Sequence, residues 1–165
     1  MNRVMDFEKR LERAIERGQH ARHEKGRIAA ERALSEDDLR SLHTSCRLEL
    51  SDHIENLLRQ LADRFPGFQY ETIVGEDGWG AKITRDDITR SPGRGFQTLY
   101  SRLQLVVSPF SDAHIVALSA KGTIRNKETV RRNHFQYLSQ VDIDSFRELI
   151  DLWVLEYAEQ YAATA

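Results

Sequence analysis

The chain has 165 residues, 40% of them hydrophobic and 30% charged, and a formal net charge of −2. That length holds one domain with a real core and is short for two, and no apolar run approaches the roughly 20 residues that a bilayer-spanning helix needs. Cys46, the single cysteine, excludes an internal disulfide, and MNRVMDFEKRLERAIERG has no apolar leader core, so a cytoplasmic chain with no membrane partner is expected.

Residues 3–33 have helix-forming composition, and Val4, Phe7, Leu11 and Ile15 recur at three- and four-residue steps, an amphipathic stripe. The stripe fades through ERGQHARHEKGR, where Gly18 and Gly26 each weaken a helix by about 1 kcal/mol relative to Ala. It resumes at Ile28 and Leu34, after which Ser35 offers an N-cap with Glu36, Asp37 and Asp38 in the first turn. Leu39, Leu42, Cys46, Leu50, Ile54, Leu57, Leu58, Leu61 and Phe65 then keep helical spacing until Pro66-Gly67. A helix of about 30 residues is about 45 Å long, more than one small sheet covers, so part of it is expected to meet the first helix or another subunit. The short joint predicts an antiparallel helical hairpin. Residues 1–34 are read as an N-terminal helical arm and 35–165 as an α+β core domain.

Beyond Pro66 the period changes to two. Phe68, Tyr70, Thr72 and Val74 alternate with polar residues, GEDG (75–78) supplies a turn, and Ala81, Ile83 and Arg85 mark a second strand. The stretch TRSPGRGF (89–96) interrupts. A third strand runs from Phe96 to Val107, SPFSD (108–112) turns the chain, and a fourth runs from Ala113 to about Ile124. HFQYLSQV (134–141) offers a short fifth. Asp142, Asp144 and Ser145 are cap candidates for a last helix, Ser145 and Glu148 having capping-box spacing. The segment 149–155 is apolar on nearly every side, so this helix is expected to be buried from more than one direction. The fold class is α+β: a helical hairpin, an antiparallel meander of four or five strands, and a C-terminal helix packed on the sheet.

No GxSxG, HExxH, Walker loop or CxxC is present, so a non-enzymatic binding module without metal or cofactor is expected, with a small enzyme of unknown reaction as an alternative. Cys46 stands three residues after His43 on one helix face but at an apolar-stripe position, which suits core packing better than nucleophilic chemistry. His20 and His23 make a metal set with Cys46, Glu49 and His53 only if the hairpin brings them together, and His20 points away from the stripe. Trp79 is expected to fold over its hairpin, and Tyr157 and Tyr161 to line the core rim.

Charge is segregated despite the small total. Residues 113–141 carry five Lys/Arg and one Asp/Glu, whereas 142–165 carry one and six. In an up-and-down meander alternate connections share an end. The end formed by 75–78 and 108–112 has Glu76, Asp77 and Asp112 and no base. The other, formed by 85–95 and 121–133, has eight bases against Asp86, Asp87 and Glu128. Arginine donates two parallel hydrogen bonds to phosphate, and the glycines of TRSPGRGF permit turns that point backbone N–H groups at an anion. The expected anion-binding residues are Arg90, Arg94, Arg125, Lys127, Arg131 and Arg132, with nucleic acid or a phosphorylated ligand as partner. The long amphipathic N-terminal helices point separately to a homo-oligomer or a protein partner.

Overall fold

The computed structural model describes residues 2–33, 35–93 and 95–164. The chain divides into two compact units, Met1–Leu39 and Arg40–Ala165. In the first, α1 (Asn2–Ala33) runs unbroken through Gly18 and Gly26, and Phe7, Leu11 and Ile15 are 63%, 47% and 50% exposed. Leu34 and the side chain of Val4 lie outside the described residues. Helix α2 (Glu36–Arg64) opens on a reciprocal cap: the Asp38 N–H donates to Ser35 Oγ and the Ser35 N–H to Asp38 Oδ2.

In the second unit five antiparallel strands form one sheet in chain order: β1 (Gln69–Gly75), β2 (Gly78–Ser91), β3 (Gly95–Val107), β4 (Ile115–Ile124) and β5 (Lys127–Tyr137). The stretches 85–95 and 121–133, expected as loops, are mostly strand. TRSPGRGF is the tip of a long β2–β3 hairpin, whose tight turn uses the left-handed conformations of Gly93 and Gly95 (φ 79° and 72°). The β4–β5 connection shrinks to Arg125 and Asn126, both at positive φ (48° and 71°), the backbone of a type I′ turn. Strand β5 therefore begins seven residues before the expected 134, and 138–140 is a short 3-10 turn.

Helix α3 (Ile143–Thr164) follows. Its cap is Asp142, whose Oδ1 accepts from the Asp144 and Ser145 N–H groups. From Arg40 onward α2 lies beside α3, with His53 bonded to Asp151 at 2.8 Å and the Phe65 and Tyr161 rings 4.9 Å apart. Both residue numbers rise together, so the two helices run parallel.

Both helices cover one face of the sheet. Arg47 stacks on Trp79 and Arg59 on Tyr70, while from α3 Tyr157 meets Gly122 and Phe146 meets His134. Strand alternation puts all four sheet residues on the same side. Between the layers Leu50, Ile54, Leu58, Ile83, Leu103, Leu105, Leu118, Phe146, Ile150 and Tyr157 are fully buried. Helix α3 is less enclosed than its sequence suggests: Leu152 and Leu155 are 60% and 64% exposed. Among the described residues no helix is long and apolar enough to cross a membrane.

Candidate functional site

The opposite face of the sheet carries no helix of the second unit. Alternation assigns to it Lys82, Arg90, Arg102, Lys121 and Arg131, with Glu71, Asp86 and Glu128 as the acids. Four positions fall in one row across the inner strands and β5: Lys82 pairs with Gln104, Gln104 with Lys121, and Lys121 with Arg131. Arg102 stands two residues from Gln104 on the same side of β3.

Like charges placed directly opposite each other on two strands destabilise the pair. Lys121 and Arg131 are so placed, both exposed, and neither has an ion-pair partner among the described residues. Lys82 has a contact with Glu71 at 3.4 Å. The Nε of Arg102 is buried and makes no hydrogen bond.

The β4–β5 turn is held firmly against β3. The Arg125 N–H donates to Ser101 Oγ at 3.0 Å, and the Asn126 N–H to the Tyr100 carbonyl at 2.8 Å. The Asn126 side chain accepts from the Tyr100 N–H and donates to the Thr98 carbonyl. Arg125 and Lys127 thus project from a pinned corner, both exposed.

The expected residues separate into three groups. Arg125, Lys127 and Arg131 belong to the β4–β5 hairpin. Arg90 sits far out on the β2–β3 hairpin, with its guanidinium 6.0 Å from the Phe96 ring centre. The tip at Gly95 lies five residues along β3 beyond Tyr100, which the other turn reaches, a distance of about 17 Å. Arg132 points to the helix-covered face, where it pairs with Glu156 at 2.6 Å. Arg94 lies outside the described residues. Arg85, one of the eight bases counted at this end, is tied to Asp87 and to the Pro66 carbonyl. Four bases of the β4–β5 hairpin, Lys121, Arg125, Lys127 and Arg131, therefore stand against the single acid Glu128.

Sequence reasoning weighted loops and so passed over Lys82 and Arg102, which lie inside strands. The available signal was the alternation: each occupies the polar phase of a strand whose other phase is Ala81-Ile83 or Leu103-Leu105.

Cys46 and His43, weighed for covalent chemistry, have structural settings. Cys46 is buried, and burial with the nearby Glu49 carboxylate pushes its thiol pKa up, away from a reactive thiolate. His43 is also buried; its Nε2–H donates to the Ser108 carbonyl at 3.1 Å, and its ring meets Phe110 edge-on. No group of three or more His, Cys, Asp or Glu side chains converges among the described residues. The Arg47 guanidinium lies over the Trp79 ring, 4.2 Å from its centre. No family model, curated protein or solved structure matches this chain.

Proposed function

We propose that this protein is a binding module in which the sheet face opposite the second unit's helices, with the adjoining β4–β5 corner, holds the phosphate backbone of a nucleic acid. The observation that carries the reading is Lys121 opposite Arg131, exposed and without a counter-charge, with Arg102 on the same face of β3 and Arg125 exposed at the turn beyond. A polyanion removes the repulsion that the free protein sustains, and spreading the bases over three strands suits a polymer better than one phosphorylated small molecule. Arg90 on the projecting hairpin supplies an outlying contact.

The test is fluorescence anisotropy with labelled oligonucleotides over a salt series. Each backbone contact adds about one unit to the slope of log affinity against log salt. The double variant Lys121→Glu, Arg131→Glu is expected to bind far more weakly, with a slope smaller by about 2. Equal affinity and slope in variant and wild type would refute the reading.

A second reading, self-association, rests on the exposed Phe7, Leu11 and Ile15 stripe of α1. Sedimentation of the chain at micromolar concentration, with and without residues 1–27, decides it: a monomer in both cases rules it out.

A further inference from the structure

Strand β5 is amphipathic the wrong way round. Its phase facing the helices is Val130, Arg132, His134 and Gln136; its phase facing away is Arg131, Asn133, Phe135 and Tyr137. The polar side chains beneath the helix are individually satisfied. Arg132 pairs with Glu156, His134 packs edge-on against Phe146 at 5.1 Å, and Gln136 donates to Ser145 Oγ at 2.7 Å and accepts from the Asp142 N–H. A one-residue slip would invert both phases, burying the rings and losing every one of these contacts. The register is thus fixed so that Phe135 stays 54% exposed, forgoing the roughly 1.5–3 kcal/mol that burying a phenylalanine contributes.

The exposed ring is also prepared for a flat partner. Across the strand pair it faces Ala117, which is too small to cover it. On its own strand Tyr137 meets it at 89° with centroids 6.0 Å apart, a perpendicular neighbour that leaves more than half of the Phe135 side chain in contact with solvent. Two residues along β5 stands Asn133, exposed and opposite Ser119, and two further stands Arg131. Charge, amide and aromatic ring thus follow one another at steps of about 6.7 Å along one edge of the sheet.

We infer that Phe135 is a base-stacking platform, and that the nucleic acid held on this face is single-stranded. The inference rests on the reading of the basic face given above and narrows its ligand. Bases in a duplex are stacked on one another and cannot lie on a protein ring, whereas those of a single strand splay onto exposed aromatics while basic residues follow the backbone. Arg131 and Lys121 take phosphates, Phe135 takes a base, and Asn133 with Ser119 offers hydrogen bonds to its edge.

The experiment uses the full chain with a labelled pyrimidine single strand and a duplex of equal length, each over a salt series. Wild type binds the single strand more tightly. Phe135→Ala weakens that binding by between about five- and 150-fold, the range for loss of one stacked base, while the salt slope and duplex binding stay as they were. Phe135→Leu, which keeps apolar area without the ring, behaves like Phe135→Ala, and Phe135→Trp restores affinity. Circular dichroism of each variant verifies folding at this exposed position. Single-strand binding that is indifferent to Phe135→Ala, or a preference for duplex, overturns the stacking inference and leaves the Lys121 and Arg131 result standing. If wild type binds neither ligand at low salt, the basic-face reading falls and this inference falls with it.

Discussion

Gln136 is the side chain on which the orientation of β5 turns, and replacing it with methionine isolates its hydrogen bonds from its volume. The amide makes two bonds of 2.7 Å, to Ser145 Oγ and from the Asp142 N–H, and a third contact of 3.1 Å to His134 Nε2. Each net bond contributes about 1 kcal/mol, and a donor left without a partner costs more where water cannot reach it. Gln136 is half-buried, so water replaces part of the loss. Gln136→Met is therefore expected to cost about 2 kcal/mol, which for a chain of this size lowers the melting temperature by about 4–8 °C. Urea unfolding followed by near-ultraviolet circular dichroism should show a lower midpoint with an unchanged slope, as expected when stability changes and the surface exposed on unfolding does not. A loss below about 0.5 kcal/mol, half of one ordinary bond, would show that the network does not hold β5 in place.

Two further expectations concern the core. An added Cβ at Gly122 falls 2.9 Å from Tyr157 Cδ2 and 3.0 Å from Val130 Cβ, and Tyr157 is tethered by its hydroxyl to the Thr123 carbonyl at 2.9 Å. Gly122→Ala should therefore destabilise by about 1–3 kcal/mol, the usual range for overpacking; an unchanged urea midpoint would mean the ring moves aside freely. Burial lowers the pKa of His43 from its ordinary 6.5, against a smaller raising effect of the Ser108 carbonyl. The unfolded chain then binds the proton more readily, so this contribution to stability is complete above pH 6.5 and is lost as pH falls through the lowered folded value. Urea midpoints of wild type and His43→Gln, compared between about pH 8 and 5, should converge toward acid; parallel profiles would refute this.

The elements that follow one simple period were legible in the sequence. Helix α2 is marked by its stripe and stopped by Pro66-Gly67, and β3 by the buried phase Leu103, Leu105 and Val107. Strand β5 was legible only from 134: over 127–133 both phases are polar apart from Val130, so no alternation of hydrophobicity marked a strand there and 121–133 suggested a basic loop. Helix α3 misled in the opposite sense: Leu152 and Leu155 complete an apolar circumference, yet both face water. Of the candidate site, the charge excess of 113–141 was visible as composition. Composition does not say which side of a strand a base takes. That is why Arg131 and Arg132, adjacent in sequence, were grouped together, although one is exposed on the open face and the other is paired with Glu156.

The parallel run of α2 and α3 has an electrical consequence. Their carboxyl ends meet at Phe65 and Tyr161, near the Pro66 carbonyl that accepts from Arg85, and Tyr157 bonds to β4 at Thr123, two residues before Arg125. Each helix concentrates about half a negative elementary charge at that terminus. Two aligned dipoles thus supply fractional counter-charge at the end of the sheet where Arg125 and Lys127 project, and the fold carries part of the neutralisation there permanently. Lys121 and Arg131, on the far side of the sheet from both helices, receive less of it. The fold itself thus offsets charge at the turn more than on the open face of the strands.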